Sequence, residues 1–224
     1  MSRIYSVKDF QIRCNSLNFP GSEELKIDGM NGPATQKQIN LVMRHLGIGR
    51  AVDMFHPSGI IGIVFHWAAS SYNVTNDTTK HYNGLFDHTG IEYDGGAPAG
   101  HQAQYSRTYG VSHTLNNNTG FVGLAVSGMG DASANWGANS VDQGKWPLTW
   151  KGVDAMLKKG AFYCKQYDIR PSKWTTLTHA EVQPSLNITQ RGKWDFQVLP
   201  ESTTLLSPIV CGDILRKRMV EKFW

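Results

Sequence analysis

Two histidines and one carboxylate form the strongest chemical pattern in this chain. His179 follows a short β-branched run, Thr175-Thr176-Leu177-Thr178, and Asp195 closes the stretch Gly192-Lys193-Trp194-Asp195. A proline, a glycine and many polar residues separate the two, which predicts loop over most of the interval. A histidine at a strand end and a carboxylate on the following loop can converge on one metal ion. Both side chains suit Zn2+, and a catalytic zinc takes three protein ligands and leaves one position open. The third ligand has to come from elsewhere. His66 is the candidate, because it interrupts the apolar run Ile60-Ile61-Gly62-Ile63-Val64-Phe65-His66-Trp67, which predicts a buried strand. On the strand alone, a metal ligand and a hydrogen-bonded core histidine are equally good readings. His45 sits near a predicted helix end, and His56, His81, His88 and His101 lie in loop-like surroundings, where a solvated histidine is the default.

The elements that must position these residues follow from periodicity and turn signals. A length of 224 residues suits one main domain plus a small module. Apolar residues and the 23 glycines together make up about half the chain, enough for a core without a disulfide framework. Cys14, Cys164 and Cys211 are odd in number, far apart and without metal-ligand spacing, so reduced cysteines are expected. Ser6-x-x-Asp9 resembles a capping box, and Phe10, Cys14 and Leu17 fall on one helical face. Asp28-Gly29 and Gly32-Pro33 mark turns. Pro33 then suits the start of a second helix bearing Ile39, Val42, Met43 and Leu46.

Residues 51–58 are expected to link this unit to a second domain over 59–206. There, strands are predicted at Ile60–Trp67 and Phe121–Ser127, with a hairpin turn at Asp87–Gly90. The segments 94–120 and 128–147 are expected as loop. A helix runs from about Thr149 to Tyr167, with Val153, Met156, Leu157, Gly160, Ala161 and Cys164 on one face. The predicted architecture is α/β: a mixed central sheet flanked by helices, preceded by a small helical bundle module.

Residues 207–224 form a last amphipathic helix, capped by Ser207 and begun by Pro208. Ile214, Leu215, Met219, Val220 and Phe223 are opposed by Arg216, Lys217, Arg218 and Lys222. Docking on its own domain is the expected role; contact with an anionic membrane surface is the secondary one. No apolar stretch is long enough to cross a membrane, and the first ten residues lack the apolar core of a signal peptide. The net charge of +4 suits an acidic partner such as a cell wall. No arginine-rich patch interleaved with aromatics points to nucleic acid.

Two resemblances join these observations. Asp28-Gly29-x-x-Gly32-Pro33-x-Thr35 followed by an amphipathic helix resembles the peptidoglycan-binding module of many cell-wall hydrolases, which implies a three-helix bundle over residues 1–50. A strand-borne histidine early in the second domain, a strand-end histidine late in it and Lys193-x-Asp195 downstream resemble the zinc-dependent N-acetylmuramoyl-L-alanine amidases of the peptidoglycan-recognition type, phage endolysins included. That resemblance implies His66, His179 and Asp195 as zinc ligands, with aspartate where some relatives place cysteine. Lys193 matches a lysine two residues before the third ligand, and Tyr82 a tyrosine ahead of the Asp87-x-x-Gly90 turn. Some relatives use a glutamate on the central strand instead; the matching position is Ala125, so this sequence is similar to the tyrosine type.

His113, in Ser112-His113-Thr114-Leu115-Asn116-Asn117-Asn118, matches a histidine bordering the substrate groove. Trp67 either lines that groove or packs in the core. In such a site Lys193 would stabilise a developing oxyanion, and Tyr82 would orient water or relay a proton. The resemblance implies hydrolysis of the amide between N-acetylmuramic acid and L-alanine in bacterial peptidoglycan. The enzyme would be a monomer held in the host cytoplasm until release. A non-catalytic peptidoglycan-binding protein, a zinc peptidase acting on the stem peptide and a structural phage component are the competing readings.

Overall fold

The chain begins with a cap. The Ser6 hydroxyl accepts from the Asp9 amide at 3.3 Å, and the Asp9 carboxylate accepts from the Ser6 amide at 2.8 Å, starting helix α1, Val7–Leu17. Aspartate closes the box that glutamate usually closes. The computed structural model describes residues 3–224. From α1, Gln11 donates to Asp28 Oδ1 (2.9 Å) and accepts from the Gly29 amide (2.9 Å), which fixes the turn leading into α2, Pro33–Leu46. Among the described residues up to 50 there are two α-helices, not the three that the resemblance implies, and a 3₁₀ turn at Ala51–Met54 follows them.

A mixed five-stranded sheet follows, built from β1 (Gly62–Trp67), β2 (Gly84–Phe86), β3 (Glu92–Asp94), β4 (Phe121–Val126) and β7 (Thr176–Thr178). Its order is β3-β2-β4-β1-β7, parallel except for the β2–β3 hairpin around the Asp87–Gly90 turn. A small hairpin, β5 (Ser133–Asn135) and β6 (Ser140–Asp142), lies in a segment expected as loop. The other such segment, 94–120, is tied down by buried Gln102, which bonds Val111 and Asn118. Helices α3 (Asn76–Thr79), α4 (Trp150–Gln166), α5 (His179–Leu186) and α6 (Pro208–Phe223) complete the chain. The α5 helix corrects the expectation of loop after His179. Thr178-x-x-Glu181 is its capping box, with the Glu181 carboxylate accepting from the Thr178 amide at 2.8 Å.

Strand alternation divides the core in two. Ile63, Phe65 and Trp67 of β1, with Val122, Leu124 and Val126 of β4, pack against α4 and against Cys211, Leu215 and Met219 of α6. On the other face, Val64, Phe121 and Leu177 meet Ile12 and Leu17 of α1, Ile39 and Val42 of α2, and Val182 and Leu186 of α5. Met54 and Phe55 belong to this second core, so residues 51–58, expected as a linker, are packed rather than free. Arg13 of α1 reinforces the join, donating to Met54 O, Asp168 O and Asp168 Oδ2 at 2.8 Å each.

Helix α6 docks as expected, with one correction. Arg216 is not on its wet face. It is 7 % exposed and donates to both carboxylate oxygens of fully buried Glu181 and to Thr176 O. Gly212 makes room for this pair, since a Cβ there would meet the Glu181 carboxylate. The three cysteines are free and buried, as their spacing suggests. No described helix is long and apolar enough to cross a membrane.

Candidate metal centre

The sheet register brings the two histidines together. Phe65 pairs with Thr178 across parallel β1 and β7, so one further step places His66 beside His179 at the carboxyl ends of both strands. Their rings lie 4.6 Å apart. Asp195 arrives from the loop after α5, and its flanking aromatics hold it there. Trp194 packs edge-on to Trp67 at 4.8 Å and Phe196 lies 5.6 Å from it, both in the α4/α6 core. The carboxylate between them turns to the opposite side of β1. Its Oδ2 stands 3.3 Å from Nδ1 of His66 and 3.3 Å from Nδ1 of His179. All three residues are buried, and one ligand atom from each lies within 4.8 Å of the others, so the group could hold a metal ion.

The outer hydrogen bonds decide what those atoms offer. Phe121 O can only accept, so His113 Nε2, 3.0 Å away, carries a proton. Neutral His113 then presents a lone pair at Nδ1. That atom faces His66 Nε2 at 3.2 Å and the Thr114 hydroxyl at 2.8 Å. With His66 Nε2 as donor to His113, its Nδ1 is left with a lone pair toward Asp195. His179 Nε2 lies 3.1 Å from Gln190 Oε1, another acceptor, and its Nδ1 is freed in the same way. Two imidazole lone pairs and a carboxylate therefore converge. Separations of 3.3 Å exceed the roughly 2.7–2.9 Å of charge-assisted N–H···O bonds. Three electron-pair donors facing one point fit a cation better than a shared proton.

The electrostatics agree. Burial pushes the His66 pKa down to about 4, against the pull of Asp195, and the nearby charges of His179 and Lys193 lower it further. Burial also pushes His113 well below the ordinary histidine value. Burial alone would raise the Asp195 pKa, but its contacts with His179 and His66 overcome this and hold the carboxyl well below the usual range. A neutral His66 imidazole beside an ionised Asp195 carboxylate is the pairing of protonation states a divalent metal requires of those two ligands.

No protein-family model matches the chain, and no curated protein matches it.

A cavity of about 670 Å³ opens beside His179 and His113, bounded by the loop from Ser112 to Thr119 and by Gln190. Lys193 lines it and is exposed, and its charge reaches His66. Arg107 and Arg191 line it too, and no carboxylate does among the described residues. The half-buried Tyr82 ring lies 5.3 Å from His66, and burial first, then Asp195, raises its pKa and keeps the phenol protonated. Ala125 pairs with His66 in the sheet, so no carboxylate stands there.

Two of the expected contacts change character. Trp67 is 4 % exposed and faces the α4/α6 core; it does not line the cavity but pins the loop that carries Asp195. His113 borders the cavity, yet both its ring nitrogens have protein partners, so it positions His66 and offers the cavity only a ring edge. Gly123 admits that ring, because a Cβ there would lie 2.4 Å from His113 Cγ. Sequence reasoning passed over Gln190, Thr114 and the Glu181–Arg216 pair. Only the Thr178-x-x-Glu181 cap was a usable signal for any of them.

Proposed function

We propose that this chain is a zinc-dependent N-acetylmuramoyl-L-alanine amidase of the phage endolysin type, acting on bacterial peptidoglycan. The observation that carries the reading is the convergence of His66 Nδ1, His179 Nδ1 and Asp195 Oδ2 beside a cavity edged by Lys193. Two imidazoles and one carboxylate are a ligand set of catalytic zinc, with the fourth position left for water or substrate. Bound there, zinc would supply Lewis acidity toward a carbonyl and activate water for attack.

The chain's own residues supply the rest. Lys193 places an ammonium at the cavity, where it stabilises negative charge developing on the attacked carbonyl oxygen. Tyr82, kept protonated beside His66, serves as a hydrogen-bond donor that orients water. Arg107 and Arg191 give the cavity a positive wall, which complements a stem peptide bearing carboxylates.

Mass spectrometry of digested peptidoglycan tests the proposal. The expected products are glycan with free lactyl carboxylates and peptides beginning with L-alanine, and a chelator should abolish their formation. Cuts within the stem peptide would replace the amidase reading with a zinc peptidase. Binding to peptidoglycan with no cleavage by metal-loaded protein would make the chain a recognition protein.

A further inference from the structure

Gln190 is 3 % exposed and lies on the turn after α5. Its side-chain nitrogen donates to Leu115 O at 2.9 Å and to Ile188 O at 3.2 Å. Both partners are carbonyls and can only accept, so the amide group has one orientation. Its oxygen must then be the atom 3.1 Å from His179 Nε2. That oxygen can only accept, so Nε2 carries a proton, and in the neutral tautomer that ligates a metal the lone pair lies on Nδ1, the nitrogen that faces Asp195. The Gln190 backbone is fixed as well, donating to Gln183 Oε1 at 3.0 Å. Gln183 belongs to α5, the same helix as His179, and Leu115 belongs to the far wall of the cavity. One residue thus joins a metal-ligand candidate and the cavity wall through its side chain, and the helix of that ligand through its backbone amide.

We propose that Gln190 is a positioning residue: it selects Nδ1 of His179 as the metal-binding nitrogen and holds the ring in the ligating orientation. This rests on the metal reading of His66, His179 and Asp195. The ligand histidines of metal sites commonly donate their second N–H to a carboxylate or a backbone carbonyl, and losing that partner costs about 10–100-fold in metal affinity. A carboxamide supplies the acceptor without adding a second carboxylate to a buried cluster that already holds Asp195.

Two variants separate positioning from simple packing. Gln190→Leu and Gln190→Glu both lose the amide donors to Leu115 and Ile188, while only Gln190→Glu keeps an acceptor for His179. Zn2+ is titrated into wild type and both variants in competition with a chromophoric chelator. Thermal midpoints are measured in parallel in excess chelator. The expected result is a 10–100-fold loss of Zn2+ affinity in Gln190→Leu. Gln190→Glu should stay within about 2-fold of wild type or bind more tightly, because a carboxylate is the stronger partner for a ligating imidazole. The metal-free midpoints should fall alike in both variants. Equal Zn2+ affinity in Gln190→Leu and wild type overturns the proposal. So does a loss in Gln190→Glu as large as in Gln190→Leu, and a loss of 10-fold or more in Gln190→Glu does so even where Gln190→Leu fails to fold. A wild-type protein that takes up no Zn2+ overturns the metal reading, and the positioning role with it.

Discussion

Deleting residues 1–50 should unfold the protein rather than release a working catalytic fragment. The motif Asp28–Thr35 suggests a detachable wall-binding module, but the second core is shared. Removing α1 and α2 takes away Ile12, Leu17, Ile39 and Val42 and uncovers Ile61, Val64, Phe121, Leu177, Val182 and Leu186. Fully burying an aliphatic or aromatic side chain contributes about 1.5–3 kcal/mol, so six such residues represent about 9–18 kcal/mol. A compact unfolded state lowers that by roughly 10–40%. The remainder still rivals the roughly 5–15 kcal/mol that holds a typical domain together. The loss also falls where the site is built. Leu177 precedes His179 by two residues, Val182 and Leu186 lie on the helix His179 begins, and Val64 is two residues before His66. A fragment of residues 51–224 should therefore show no cooperative thermal transition by circular dichroism and no stoichiometric Zn2+ binding. A fragment melting within about 5 °C of the whole chain, with Zn2+ affinity intact, would refute the shared-core reasoning.

Lys193→Ala should keep its metal and lose turnover by about 100–1000-fold, as removal of an oxyanion-stabilising group does elsewhere; metal analysis and steady-state kinetics on one preparation check both halves. Arg216→Ala should cost about 3–5 kcal/mol in denaturant titration, because it leaves the Glu181 carboxylate buried without its partner. Gly123→Ala should drive the His113 ring from its place and weaken Zn2+ binding measurably in a competition titration, since the new Cβ cannot share space with that ring. Burial alone would raise the pKa of Asp154, but Arg218 and Lys222 outweigh it and hold the group below its ordinary value. Its contribution is thus present above an ordinary aspartate value of about 3.9 and is lost as the pH falls through the lowered folded value. Asp154→Asn should flatten the acid limb of the stability curve by under about 1 kcal/mol, read from melts across that range.

The parts of this protein legible in its sequence are those specified by local chemistry. Ser6 and Asp9 cap α1, Pro33 starts α2, Thr149 caps α4 and Ser207 caps α6, each within one helical turn of its signal. The strand holding His66 is legible because a polar residue in an apolar run has few explanations. What escaped depends on contacts distant in the chain. Arg216 belongs by pattern to a basic helix face, and its burial is accounted for by Glu181, 35 residues away, and Thr176 O, 40 residues away. Gln190 sits in a polar stretch that reads as solvated loop until its three partners are seen. Residues 51–58 have linker composition, yet the apolar face of the sheet claims Met54 and Phe55.

The adjacent pair His66-Trp67 shows how one strand serves both layers. Neighbouring residues on a strand point to opposite faces, so a histidine directed at the metal side obliges its neighbour to point into the other core. Trp67 uses that position to grip Trp194 and Phe196, the residues on either side of Asp195. The turn at Asp195-Phe196, where Phe196 has a left-handed φ of 61°, returns the carboxylate to the His66 face. Two of the candidate ligands are thereby set against each other through a single strand: His66 directly, and Asp195 through the aromatic contact on the reverse side. Trp67 reached the functional site by a route that neither groove lining nor plain core packing describes. Its exposure is negligible, and its influence on the metal centre is the placement of a loop.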